Sequence, residues 1–359
     1  MSDVEFLEPT TTTDEVLRVE HLKVSFRTER GVVQAVDDVS FRVRRGEVLA
    51  IVGESGSGKS VSAMTLMGLT RSPNARISGS ARLADGIDLV TASDHDLRRV
   101  RGTRVAMIFQ DPMSALTPVY RVGDQIAEQI RAHEKVSRAA ARARAVHLLE
   151  RVGIPHAAER SRAHPHQFSG GMRQRVMIAM ALSCSPEILI ADEPTTALDV
   201  TIQSQILAEI EDLRQETGVA VLLITHDLGV VAEVASRVVV MYAGRVVEEC
   251  EVRETFKDPL HPYTWGLLGS VPRIDKSRPE RLPTIHGSPP SLLRPPSGCH
   301  FKTRCPHRFA DCDREPELRA LEPGTAHRDR CHLSLADKRR LRTVDGAIGL
   351  PVPIERDAS

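Results

Sequence analysis

The sequence predicts an α/β chain built around a phosphate-binding loop, and three observations carry that expectation. A continuous apolar strand, Glu47 to Val52, runs directly into a glycine-rich turn and then a helical pattern from Ser60 to Leu69. A β/α alternation occupies the later part of the chain: strand Glu187 to Ala191, helix Val200 to Glu216, strand Val219 to Thr225, helix Leu228 to Ala235, strand Arg237 to Tyr242. Such alternation is the mark of crossover units in a parallel sheet. Third, residues 120–183 read as helical throughout, with turn signals at Gly153-Ile-Pro155 and Pro165, which makes them a helical insertion.

The remaining segments follow in order. Residues 1–15 are polar, with four consecutive threonines, and read as a flexible lead. From Val16 to Val43 apolar residues alternate in the β manner, interrupted by turn-prone Glu-Arg-Gly at 29–31 and Asp-Asp at 37–38, which predicts an antiparallel sheet. Beyond about Tyr263 the composition shifts: ten prolines fall between 272 and 323, and four of the six cysteines lie beyond 298. That tail reads as a separate, loop-rich unit, too poor in periodic apolar positions to build a large core without some staple.

Composition narrows the function. The chain has 359 residues, 41% hydrophobic and 27% charged, enough to bury a full core. Lys plus Arg and Asp plus Glu both total 48, so no global field draws it to nucleic acid or anionic lipid. Aromatics at 3% argue against stacking platforms for single strands. Apolar runs are far shorter than the ~20 residues that cross a bilayer, and the acidic, Thr-rich start lacks the plan of a secretory signal. The expectation is a cytosolic chain, where six cysteines fill core, ligate metal or do redox chemistry.

Gly53-Glu-Ser-Gly-Ser-Gly-Lys59-Ser60 matches the phosphate-binding pattern Gly-x4-Gly-Lys-[Ser/Thr] at every position, between a strand and a helix. Gly53, Gly56 and Gly58 let the backbone curl so that the amides of Glu54, Ser55, Ser57 and their neighbours converge on phosphate oxygens at a helix N-terminus. Lys59 supplies a point charge between the β- and γ-phosphates, and Ser60 offers a hydroxyl to magnesium. The strand from Glu187 ends in Asp192 and Glu193 at the carboxyl edge of the sheet, where ligands of open parallel sheets bind. There Asp192 would hold magnesium through its water shell, and Glu193 would polarise the attacking water.

Further residues narrow the class. Ser169-Gly170-Gly171-Met172-Arg173-Gln174 opens a helix and resembles the signature of ATP-binding cassette proteins, usually Leu-Ser-Gly-Gly-Gln. Here Phe168 stands for the Leu and Met172 for the Gln. Ala197-Leu198-Asp199 resembles that family's D-loop, His226 its switch histidine, and Gln110 in Met107-Ile-Phe-Gln-Asp-Pro its Q-loop. The resemblance covers about residues 16–250. It implies a RecA-like core with an antiparallel β-subdomain and an α-helical subdomain, ATP and Mg2+ as cofactors, and Gln110 beside Ser60 and Asp192 at the magnesium. It also implies Ser169, Gly170, Gly171 and Asp199 reaching the nucleotide of a second ATPase chain. Phe26 is a candidate for stacking on adenine, with a core role as the alternative.

Phe109-Gln-Asp-Pro-Met-Ser-Ala-Leu-Thr-Pro118, His261-Pro-Tyr-Thr264 and the cysteine-bearing tail resemble the ATPases of dipeptide, oligopeptide and nickel importers. On that resemblance the chain divides into a lead (1–15), an ATPase domain (16–262), an oligopeptide-transporter-type C-terminal extension (263–335) and a tail (336–359). It implies peptide import, with nickel or another small solute as the alternative. The partners implied are a second, non-identical ATPase, two membrane-spanning permease subunits touched by residues 110–120, and an extracytoplasmic solute-binding protein. The place implied is the cytoplasmic face of the plasma membrane. A soluble cassette protein of DNA repair or translation is the remote alternative, without a second cassette, coiled coil or basic surface to support it. Cys299, Cys305, Cys312 and Cys331 are spaced x5, x6 and x18, which fits neither common zinc nor ferredoxin runs. The resemblance, in Gly298-Cys-His-Phe and Arg304-Cys-Pro306, implies a [4Fe-4S] cluster there, with zinc or free thiols as the alternatives. Cys184 and Cys250 are expected to fill core or near-core positions.

Overall fold

The structure, a computed structural model, describes residues 14–111, 115–195, 200–270 and 285–342, with the side chains of 200 and 201 left aside. Nearly all of the expected lead, Met113, the Ala197-Leu198-Asp199 segment and 343–359 lie outside the described residues.

Two sheets organise the fold. Strands β1 (Glu15–Thr28), β2 (Gly31–Arg44) and β4 (Ala75–Leu83) form an antiparallel sheet in the order β2-β1-β4. The second sheet has eight strands in the order β10-β11-β9-β8-β3-β7-β6-β5. In it β3 (Val48–Val52), β5 (Val105–Ile108), β6 (Ile188–Asp192), β7 (Ala220–Thr225) and β8 (Arg237–Tyr242) run parallel. The parallel strands are apolar on both faces because both are covered: Val48, Ala50 and Val52 face one core, and Leu49 and Ile51 face the other. The first core packs under the helical insertion, and the second under the antiparallel sheet and helix α1 (Lys59–Leu66).

Several helices start where a serine or aspartate side chain caps a backbone amide. Ser93 caps α2 (Asp94–Val100), Ser137 caps α4 (Arg138–Arg151), Ser169 caps α6 (Gly170–Ala181) and Asp227 caps α8 (Leu228–Val234). Helix α3 (Val122–His133) has an apolar stripe of Val122, Ile126, Ala127 and Ile130, spaced to face the first core. Between α4 and α6 lies the short α5 (Ala157–Arg160), and α7 (Val200–Thr217) crosses from β6 to β7. The insertion is thus a run of helices, as its sequence predicts.

Two expectations need correction. Asp37-Asp38 does not end a strand: β2 runs through it as a bulge, with Asp38 at φ 62° and a shifted register beside it. The acids stay in the sheet because arginines from distant elements pair with them, Arg245 at 2.6 Å from Asp37 and Arg330 at 3.1 Å from Asp38. The C-terminal tail is not a separate unit. The chain leaves β8 through β9 (Arg245–Glu251), α9 (Val252–Lys257) and α10 (Pro262–Gly269). It then returns as β10 (Arg319–Ala320) and β11 (Arg328–Asp329), and β11 pairs with β9 at Glu248 and Glu249. The last described helix, α11 (Leu335–Leu341), is pinned by a fully buried Lys338–Asp329 ion pair. Only a contact between residues eighty apart joins β11 to the sheet, so local periodicity carries no sign of it.

Candidate nucleotide site

The loop after β3 folds as its glycines require. Gly53 has φ 152°, and a Cβ there would sit 2.1 Å from the Met241 carbonyl oxygen; Gly58 has φ 101°, with a Cβ 2.5 Å from the Ala35 carbonyl. Neither obstacle is a flexible side-chain end. Gly53→Ala is therefore expected to cost on the order of 3 kcal/mol and to abolish nucleotide binding. Thermal unfolding and a nucleotide titration check it, and normal binding by this variant would count against the loop geometry.

Within the curl, Lys59 is 5% exposed and donates to the Gly53 carbonyl at 2.7 Å and the Glu54 carbonyl at 3.1 Å. Burial lowers its pKa, opposed by the carboxylates of Glu193, Asp192 and Glu54. Ser60, at the start of α1, donates its hydroxyl to Asp192 Oδ1 at 3.0 Å. Burial raises the Asp192 carboxyl above the usual range, with Glu193 adding to the rise and the Ser60 hydrogen bond and Lys59 opposing it. A hydroxyl and a buried carboxylate facing one another suit a divalent cation, which would relieve that burial. The buried Ser57 hydroxyl has no partner among the described residues, as suits a loop shaped around an anion.

Three adjacent strands, β5, β6 and β7, bring the remaining groups together at their carboxyl ends. Gln110 follows β5, Glu193 follows β6 and His226 follows β7. Gln110 Nε2 donates to Glu193 Oε2 at 2.8 Å, and His226 Nδ1 lies 3.2 Å from Glu193 Oε1. Glu193 has φ 47°, a conformation uncommon for a non-glycine residue, held by its N–H donating to the Ile224 carbonyl at 2.8 Å. Lys59, Ser60, Asp192, Glu193, Gln110 and His226 thus lie together in one cluster.

The other candidates lie elsewhere. Ser169 and Gly170 are exposed at the start of α6, and the Ser169 hydroxyl accepts from the Met172 N–H at 3.3 Å. Gly171 is buried, where a Cβ would meet Ile202 Cγ2 at 2.9 Å. The departure at 168 is absorbed by the core, Phe168 being 3% exposed, and Met172 packs at the edge of the same core. Phe26, on β1, is half-buried against the second core.

Sequence reasoning missed what holds Glu54. Its N–H donates to the Tyr263 hydroxyl at 2.8 Å, so this amide is turned away from a phosphate, and its carboxylate takes a two-pronged contact from Arg304 at 2.7 and 3.2 Å. Tyr263 belongs to the His261-Pro-Tyr-Thr264 motif, which the sequence singles out without showing its purpose. Glu248, fully buried on β9, anchors the same motif by accepting from the Leu260 and His261 N–H groups and the Thr264 hydroxyl.

Cys299, Cys305, Cys312 and Cys331 line one small cavity together with Phe301 and His307. Burial raises the pKa of Cys299 and Cys305 and pushes Cys331 up to about 12. His307, 2% exposed, has no hydrogen-bond partner on either ring nitrogen among the described residues. Cys312 is buried and the other three cysteines are half-buried, so four thiols and an orphaned imidazole around one cavity are donors of the kind a soft metal ion takes. The tighter group Glu248, Cys250 and His327 is a hydrogen-bonded anchor instead. Glu248 has its four donors, His327 among them at 2.7 Å, and Cys250 lies 3.1 Å from the Thr255 hydroxyl.

In a parallel sheet, a curled loop of amides facing an acid pair serves phosphoryl transfer, so the fold and site define a phosphate-loop nucleoside triphosphatase. The ABC transporter family profile matches residues 36–196, and the oligopeptide/dipeptide transporter C-terminal region matches residues 247–312. The chain is 54% identical over 301 residues to a dipeptide transport ATP-binding protein of Bacillus subtilis, covering 84% of this chain and 90% of that protein. It is 50% identical over 309 residues to an oligopeptide transport ATP-binding protein of Salmonella typhimurium, covering 86% and 91%. Among solved structures, an ATP-binding cassette dimer in a post-hydrolysis state with ADP and Pi aligns at TM-score 0.59 and 26% identity, over 66% of this chain and 99% of that one. The chain belongs to the ATP-binding cassette transporter family, as an ATPase that carries the oligopeptide/dipeptide transporter C-terminal region. No helix among the described residues is long and apolar enough to cross a membrane.

Proposed function

We propose that this chain is the ATP-hydrolysing subunit of an importer of dipeptides or oligopeptides, docked at the cytoplasmic face of the plasma membrane. The observation that carries the reading is the convergence of Gln110 and His226 on Glu193 beside the Lys59–Ser60–Asp192 cluster.

The roles follow from chemistry. Lys59 and the amides that follow Glu54 in the Gly53–Ser60 loop hold the phosphates of ATP, and Ser60, Asp192 and Gln110 would hold Mg2+, which would neutralise developing phosphate charge. Glu193 takes the proton of the attacking water. Gln110 and His226 orient its carboxylate, each fixing one oxygen, and His226 also reaches the γ-phosphate. Ser169, Gly170 and Gly171 of one ATPase chain, with Asp199, complete the site of a second, non-identical one, so that binding closes the pair and hydrolysis reopens it. Phe26 stacks on adenine through its uncovered face. The functional division runs 16–262 for the ATPase and 263–335 for the extension.

Two permease subunits and an extracytoplasmic solute-binding protein complete the importer. Val119 and Tyr120, 72% and 59% exposed, follow Gln110 and give a permease an apolar foothold. The four cysteines hold a [4Fe-4S] cluster.

The test is ATPase activity of the membrane complex co-purified with this chain and titrated with its binding protein and peptides. Peptide stimulation is expected. A flat response to peptides with stimulation by nickel or another small solute would overturn the substrate.

A further inference from the structure

The phosphate loop does not stand on its own strand and helix alone. Arg304 lies 250 residues beyond Glu54, yet its guanidinium grips both carboxylate oxygens while its side chain is 5% exposed. The same guanidinium donates to the carbonyls of His286 at 3.0 Å and Ile285 at 3.1 Å, so it is fixed in place before it meets Glu54. On the other side of Glu54 the Tyr263 hydroxyl takes the N–H, and Lys59 Nζ reaches the carbonyl at 3.1 Å. The peptide unit that orients Lys59 is therefore itself held by the C-terminal extension.

A second link reaches the other end of the loop. His300 Nδ1 lies 2.9 Å from the Ala243 carbonyl, and the next residue, Gly244, donates its N–H to the Ser57 carbonyl at 3.0 Å. Between the links stand the rings of Tyr242, Tyr263 and Phe301, with centroids 4.5 to 5.4 Å apart. Phe301 lines the four-cysteine cavity, and Arg304 directly precedes Cys305.

We infer that Arg304 and Tyr263 are positioning residues for ATP: they hold Glu54 so that the following amides and Lys59 face the phosphates. The inference rests on the reading that Gly53–Ser60 binds ATP. A fixed, two-pronged contact is worth most where it holds a loop in the shape its ligand needs, because the loop then loses less freedom on binding.

The experiment uses the full chain, with ATP affinity measured by calorimetry and turnover measured in the membrane complex. Arg304→Met and Glu54→Gln are each expected to weaken ATP binding roughly tenfold, to raise KM by the same factor and to leave kcat within about threefold. Arg304→Lys should recover part of the loss. The Arg304→Met/Glu54→Gln double variant should bind no worse than either single variant, because both remove one contact. Glu54→Gln carries the test if Arg304→Met does not fold, since Glu54 is partly exposed and its variant removes only charge. Unchanged affinity in Glu54→Gln, or losses that multiply in the double variant, would overturn the inference. Failure of the unmodified chain to bind ATP would overturn the nucleotide assignment and the inference with it.

Discussion

Glu193→Gln is expected to keep ATP affinity within a few-fold and to slow hydrolysis by about 10²- to 10⁴-fold. The substitution is close to isosteric. Its amide oxygen can still accept from Gln110 Nε2 and its amide nitrogen can face His226 Nδ1, so both contacts at 2.8 and 3.2 Å survive. What disappears is the basic oxygen that takes the proton of water. The loop contacts of Lys59 and the Ser60–Asp192 pair do not involve that oxygen, so binding should persist. Single-turnover hydrolysis beside equilibrium ATP binding separates the two quantities. A normal rate in this variant would show that the proton leaves by another route.

The second large effect concerns the cysteine cavity. Protein purified without oxygen is expected to carry about four iron atoms per chain, and Cys305→Ser to lose them. Removal should loosen residues 285–342, because the regular structure described there is short: two two-residue strands, a single turn at Ala310–Asp313 and the helix Leu335–Leu341. Metal held by thiolates contributes on the order of 10 kcal/mol to folding in small metal-dependent units. Metal analysis and hydrogen exchange over 285–342 measure both parts. Protein without iron or zinc would sink the ligand assignment, and unchanged exchange after metal loss would sink its structural role.

These two sites differ in how openly the sequence announced them. The phosphate loop and the Asp192-Glu193 pair were legible because each is local: one strand, one turn and a fixed order of residues dictate the shape. Gln110 and His226 were legible through their resemblance to the Q-loop and switch histidine of the cassette family and through their order among its motifs; the fold adds that parallel strands deliver both to one edge of the sheet. The cysteines were visible as a cluster in a proline-rich tail, but their spacings fitted no common metal pattern, and only the fold shows them lining one cavity. Asp37-Asp38 misled because acids at a turn and acids in a bulge look alike until Arg245 and Arg330 arrive to pair with them.

By itself the sequence determined the fold class, the nucleotide chemistry and the order of the residues that carry it, because these depend on periodicity and on contacts within a strand-turn-helix unit. The tertiary structure alone decided that the tail is stitched to the sheet through β11 and β9, and that Arg304 and Tyr263 hold Glu54 across more than two hundred residues. Contacts at that separation leave no period or spacing in the chain. They exist only once burial has brought the elements together and each charged or polar group has found a partner.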